Sequence, residues 1–375
     1  MFFFLILFLL SFLYKIYCQQ ETSEYIDYFD QLKKETYQPL DGKERTYYIA
    51  IEEVIWNYAP TNWDEINNLS LEESPAHLYM ASTKTAIGTK YYKAQYREYT
   101  DSTYSTLKKV NSWQGGMGPI LRGQVGDTLK VHVWNKASHN YSMHPHGVFY
   151  EFDMEGAVYK GTSKEAYILP GNRYTYTWQI RPRAGPGPTD GDSLVWGYHS
   201  HVTEFDIYAG LYGAIIVYRK GKYNQFENNN EIVTTVFASD ENLSPYLQKT
   251  MTYIRPDLDK QKIEKMKGDI TPFYLSNIKH MINGFMLHHP SSLIFYNHQP
   301  IIWHVIAWGS FLDIHDLRWQ GGKIYRFNRT ISQLRLLPAS FHTLTFIPDQ
   351  QGTWQFGFLN GDQGVYGMIW QFNVE

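Results

Sequence analysis

Apolar and polar residues alternate with a period of two along most of this chain, in short runs. Leu129, Val131 and Val133 stand between polar neighbours, and Tyr174, Tyr176 and Trp178 alternate with arginine, threonine and glutamine. A period of two puts successive side chains on opposite faces of an extended chain, so such runs predict strands with one buried face. The pattern predicts strands over 45–60, 91–100, 120–134, 173–180, 195–202 and 211–218, then over 232–238, 301–308, 324–327, 343–347, 352–358 and 367–374. Gly- and Pro-rich clusters at 115–119, 170–171 and 183–192 separate them, and Ile282-Asn283-Gly284-Phe285 predicts a tight turn. One charged stretch, 257–267, predicts a surface helix. Many short strands between turns predict an all-β chain of antiparallel sandwiches or barrels.

Length and composition refine this picture. The chain has 375 residues, enough for two domains, and its 31 Tyr, 21 Phe and 11 Trp suit pleated, half-buried surfaces. Residues 1–18 are expected to be a signal peptide, because Phe2 to Leu13 is an apolar run too short to span a bilayer. A retained N-terminal anchor is the alternative. Residues 19–46 form a polar extension with some helix, 47–218 a first domain, 219–231 a polar linker with three consecutive asparagines, and 232–375 a second domain. A net charge of −3 excludes nucleic acid and anionic membrane as expected partners, and no membrane span is expected beyond the leader. Cys18 is the only cysteine, so the mature chain has no disulfide framework, and its core is large enough to do without one. Sequons begin at Asn68, Asn140, Asn242 and Asn328 and are compatible with a secreted glycoprotein.

The candidate chemistry lies in two His-x-His pairs, His144/His146 and His199/His201, each on strand-like sequence. In a strand, residues i and i+2 share a face with Cα atoms about 6.5–7 Å apart. Each pair can therefore aim both imidazoles into one space. A single such pair is often only polar filler at a strand end, but two within one domain point to a metal. Nitrogen ligands suit copper, zinc, iron or nickel, so spacing alone does not choose the metal. His288-His289 is expected on a surface loop, His132 on a solvent face, and His298, His304 and His342 as structural or solvated residues.

The runs Tyr47 to Pro60, His144-Pro-His-Gly147, Tyr174-Thr-Tyr-Thr-Trp178, Gly185-Pro-Gly-Pro188 and Tyr198-His-Ser-His201 resemble the multicopper oxidase family, in particular ceruloplasmin, hephaestin and the A domains of coagulation factors V and VIII. The resemblance continues through Ile282 to Phe285, Asp313-Ile-His315 and Gly352-Thr-Trp354. It implies two cupredoxin-like Greek-key β-sandwich domains in tandem, with copper as cofactor. It also implies that His144, His146, His199 and His201 match the first domain's half of a trinuclear copper cluster. In the second domain His315 and Met368 align with type 1 copper ligands, but Phe358 stands where the cysteine belongs and Gln363 where the second histidine belongs. Phenylalanine offers no thiolate, so this type 1 site is expected to be degenerate, with Met368 and His315 kept for packing. Ser193 and Tyr218 occupy positions where the family's first domain usually has a disulfide.

These readings lead to a secreted copper-binding protein holding half of a trinuclear site. A second cupredoxin chain, or a homo-oligomer, is the expected source of the missing ligands. The alternatives are a ferroxidase-type multicopper oxidase that turns over in an assembly, with oxygen as acceptor, and a non-catalytic interaction module resembling the A domains.

Overall fold

The computed structural model describes residues 28–159, 166–224, 230–266, 271–309 and 314–375. The expected leader, the start of the extension and linker residues 225–229 lie outside the described residues. Residues 28–37 are helical, in keeping with the partly helical extension. From Gly42 to Glu375 the chain forms one compact unit. Among the described residues no helix is long and apolar enough to cross a membrane.

Two pairs of sheets build that unit. One sheet of the first half orders the strands Lys90–Tyr99, Glu44–Asn57, Thr128–Asn135 and Arg173–Gln179; the facing sheet orders Ile120–Gln124, Tyr212–Tyr218, Ser193–His199 and His144–Pro145. The second half has a six-stranded sheet built around Glu231–Asp240, Ile301–Ala307 and Ser340–Pro348, and a five-stranded sheet built around Ile369–Val374, Gly352–Gly357 and His315–Trp319. The strands are not all antiparallel, as the short-turn pattern had suggested. Glu44–Asn57 runs parallel to Thr128–Asn135, Tyr212–Tyr218 to Ile120–Gln124, Glu231–Asp240 to Ile301–Ala307, and Ile294–Phe295 to Ile369–Val374. Parallel neighbours need long crossover connections, and alternation within a strand carries no record of them.

Two predicted elements differ in extent. The run 120–134 is two strands in different sheets, because the chain turns at Gly126-Asp127. The Asp127 carboxylate fixes that turn, accepting from the amides of Lys43 at 2.8 Å and Gln124 at 2.9 Å and from Arg45 Nε at 2.5 Å. The predicted helix 257–267 shortens to Lys260–Glu264, started by Asp259, whose side chain accepts from the Lys262 amide at 2.9 Å. The turn at 282–285 is closed as expected by two backbone bonds of 2.9 Å between Ile282 and Phe285.

The strand Tyr212–Tyr218 joins the two halves. All seven of its residues are buried. Ile215 and Val217 pack into the core of the first sandwich with Leu129, Val131 and Trp178. Ala214 and Ile216 face the other way, into a core shared with Val233, Val236, Phe237 and Trp303 of the second half. A fully buried isoleucine or valine contributes about 1.5–3 kcal/mol, so this strand stabilises both sandwiches at once. Ser193 stands directly opposite Tyr218 across the paired strands, which places the two residues expected in place of a disulfide side by side.

Candidate metal centre

Backbone pairing brings the two His-x-His motifs together. The short strand His144–Pro145 pairs antiparallel with the strand Ser193–His199, and His144 stands opposite His199. The amide of His146 donates to the Gly197 carbonyl at 2.8 Å. The chain then turns away at Gly147, where φ is +74° and a Cβ would lie 2.0 Å from the Trp196 ring, so only glycine fits. The strand through His146 expected from sequence is thus cut short, yet its two imidazoles still face one space, with ring centroids 5.1 Å apart.

A clasp of serines and a buried aspartate holds the two motifs in register. Ser200 lies between His199 and His201, and its hydroxyl accepts from the Ser142 amide at 3.0 Å. Ser142 answers from two residues before His144, its hydroxyl accepting from the His201 amide at 2.9 Å. Asp206, 5% exposed, anchors the clasp: its carboxylate accepts from Ser200 Oγ at 2.5 Å, the Val202 amide at 3.0 Å, and the amide and hydroxyl of Thr203 at 3.3 and 2.8 Å.

The imidazoles converge. The ligand nitrogens of His144, His146 and His199 lie within 4.8 Å of one another. His201 stands beside this triad, its ring centroid 5.1 Å from that of His144 and 5.3 Å from that of His199. His144 Nδ1 lies 2.8 Å from the Glu155 carbonyl, and His199 Nδ1 lies 2.8 Å from the Ser200 carbonyl. A carbonyl only accepts, so both Nδ1 atoms carry hydrogen and both Nε2 atoms present lone pairs to the centre. Burial lowers the histidine pKa values. It pushes His199 down to about 3 and His146 to about 4, aided by neighbouring imidazoles, and lowers His144 against the opposing Glu155 bond. These three imidazoles are neutral at neutral pH, the form that binds metal.

The donor set fits a nitrogen-liganded metal ion. His146 Nε2 and His199 Nε2 are 3.1 Å apart. With metal–nitrogen bonds of about 2.0 Å, that separation corresponds to an angle of about 100° at a single ion, close to tetrahedral.

Two residues of the second half complete the surroundings, and sequence reasoning missed both. Trp308 follows the strand Ile301–Ala307, and its ring lies 5.3 Å from that of His199 and 5.9 Å from that of His146. Phe341, on Ser340–Pro348, lies 5.3 Å from His146. Gly197, beside His199, admits them: a Cβ there would meet Trp308 Cη2 at 2.4 Å and Phe341 Cε1 at 2.7 Å. A glycine inside an otherwise apolar strand was the one sequence signal that another group approaches closely.

The remaining candidates lie elsewhere. Phe358 and Met368 are buried at 5% and 0% exposure in the apolar core of the second half, with the Phe358 amide donating to the Met368 carbonyl at 3.1 Å. His315 opens the strand His315–Trp319 and Gln363 lies on the helix Asp362–Tyr366; their side chains are outside the described residues. Asn68, Asn140 and Asn328 are exposed. Asn242 is half-buried, and its Nδ2 donates to Asp240 Oδ1 at 2.8 Å and to the Tyr274 carbonyl at 3.0 Å. His288 and His289 are half-buried rather than on an open loop, because Glu65 reaches both, at 2.6 Å to His288 Nδ1 and 2.7 Å to the His289 amide. His132 stacks on Tyr48 with centroids 5.0 Å apart, and His304 is fully buried with Nδ1 2.9 Å from Thr343 Oγ1.

Residues 92–222 match the model of a multicopper oxidase domain. Human ferroxidase HEPHL1 is 35% identical over 343 residues, 88% of this chain and 29% of that protein. Human hephaestin is 32% identical over 88% of this chain and 30% of its own length, and human ceruloplasmin 30% identical over 90% and 32%. The chain thus spans under a third of each of these relatives. Among solved structures, a multicopper oxidase superposes with a TM-score of 0.53 at 16% identity, covering 88% of each chain. A copper nitrite reductase from Nitrosomonas europaea gives 0.55 at 15% identity over 88% of this chain and 94% of that one. At such identities they show the shared fold of two cupredoxin-type sandwiches.

Proposed function

Because this chain belongs to the multicopper oxidase family, of the ceruloplasmin and hephaestin type, we propose that it binds copper through His144, His146, His199 and His201 as an exported protein. The observation that carries the reading is the 3.1 Å approach of two Nε2 atoms whose rings are tied outward or packed in place. Without metal, His146 Nε2–H donates to the His199 Nε2 lone pair across this distance; a metal ion would replace that shared proton and take both lone pairs. Copper, when bound, supplies one-electron redox chemistry. The chain's own part is to hold His144, His146 and His199 neutral, to orient His144 and His199 through the Glu155 and Ser200 carbonyls, and to keep the centre out of bulk water.

Ferroxidase-type turnover would need an electron entry point, and Phe358 fills the position where a thiolate would supply one. Turnover is therefore proposed only for an assembly, in which a second cupredoxin chain or another copy of this one adds ligands at the His144/His201 end. That end carries neither Trp308 nor Phe341 among its ring contacts. Export uses the apolar leader, and Asn68, Asn140 and Asn328 are the accessible glycan acceptors. The test is metal analysis of the purified chain beside His144→Ala and His199→Ala, with oxygen uptake on ferrous iron. Copper in the wild type and its loss from both variants is the expected result. Equal metal content in all three would refute the reading and leave the scaffold role.

A further inference from the structure

We infer that the His146/His199 end of the cluster is a closed seat for one copper ion, walled by Trp308 and Phe341 of the same chain, and that this aromatic enclosure favours the cuprous state. This rests on the copper reading above and adds nuclearity and oxidation-state preference to it.

The wall is built by the fold. Trp308 is 3% exposed, and Phe341 lies against it with centroids 5.8 Å apart at 85°, and against Trp196 at 5.8 Å. Together they stand over His146 and His199, the two rings whose Nε2 atoms meet. Gly197 leaves no gap between strand and wall, since even a methyl group there would overlap both rings. A ligand arriving from a second chain on this side would first have to displace a packed indole. The metal at this end is therefore limited to His146, His199 and the adjacent His144.

Two or three nitrogens and an aromatic face suit cuprous copper better than cupric copper. Cuprous copper is a soft d10 ion content with two or three ligands, whereas cupric copper prefers a tetragonal set of nitrogen and oxygen donors. An indole face attracts a desolvated cation more strongly than any other side-chain ring. The Trp308 Nε1 hydrogen is buried and has no hydrogen-bond partner. Trp319 and Trp370 share that unpaired state within the apolar core, so what sets Trp308 apart is its place beside His146 and His199.

The experiment uses the full mature chain under anaerobic conditions. Cuprous copper is titrated against bicinchoninate and cupric copper against a weak chelator. Metal content is measured alongside, for wild type, Trp308→Phe and Trp308→Leu. The expected result is one copper per chain and quenching of tryptophan fluorescence that is reduced in both variants. Cuprous affinity should fall about tenfold in Trp308→Leu and less in Trp308→Phe, while cupric affinity barely changes. Two or three coppers per chain, or equal losses for both oxidation states, would overturn the inference. Trp308→Phe keeps an aromatic ring in the wall, and its circular dichroism and melting curve separate a lost wall from a lost fold. If the wild type binds no copper in either state, the copper reading itself has failed.

Discussion

Asp206→Ala tests how the site is held. The carboxylate accepts four hydrogen bonds, but they do not weigh equally. Thr203 is exposed, so water can replace the acceptor for its amide and hydroxyl. Ser200 is fully buried and Val202 half-buried, and their donors would be left without a partner. Each stranded buried donor costs about 1–3 kcal/mol, which puts the loss of stability at about 2–4 kcal/mol once partial hydration at Val202 is allowed for. The effect on metal binding follows from the Ser200 hydroxyl, which ties Ser142 and so the His144 segment to the His199 segment. Removing an outer support of this kind lowers metal affinity about 10–100-fold. Urea unfolding of the metal-free protein gives the first number, and chelator competition gives the second. Asp206→Asn retains one acceptor oxygen and should fall between. An alanine variant within about 0.5 kcal/mol of wild type, binding copper as tightly, would show that strand pairing alone sets the geometry and that the clasp is idle.

Phe358→Cys places a thiol where the type 1 site would need one, but it also removes a ring from a packed core; we expect a loss of about 2–4 kcal/mol and no intense blue charge-transfer absorption after copper loading, checked by visible spectroscopy and thermal melting. Ile216→Ala opens a cavity in the core shared by both halves and should cost about 2–5 kcal/mol, with near-ultraviolet and far-ultraviolet signals still melting together. Glu53 is held at about 2, against an ordinary 4.5: burial pushes it up, but bonds from Lys249 and Ser138 outweigh burial. A carboxylate lowered by folding stabilises the protein above its unfolded value, so the advantage of wild type over Glu53→Gln should be full above pH 5 and fade as pH falls toward about 2 in paired denaturant titrations.

The strands and the metal motif were legible because both depend on local periodicity. His144/His146 and His199/His201 share faces for the same reason that Leu129, Val131 and Val133 do. The break at Gly126-Asp127 was read through, although Gly126, Asp127 and Thr128 interrupt the alternation there; the bonds from Lys43 and Arg45 to Asp127 reveal the turn. Trp308 and Phe341 reach the histidines from more than 100 residues away, and nothing near them in the sequence marks them as different from core aromatics. Buried charge was equally hidden. Lys93 pairs with Glu241 at 2.6 Å, and Lys279 donates to the Tyr79, Gly88 and Ser276 carbonyls, yet each looks like a surface residue when read alone. Apart from the nearby Ser276 carbonyl, their partners lie more than 100 residues away, so they meet only once the chain is folded.

The strand Tyr212–Tyr218 bears on what happens when the chain is nicked. A protease cutting in the connection just after Tyr218 would sever the covalent link but leave Ala214 and Ile216 seated among Val233, Val236 and Trp303. The two fragments would stay clasped and co-elute, and each alone would carry an uncovered apolar face. Such a cut makes a two-chain form of the same object, one that denaturant must pry apart before gel filtration can see it.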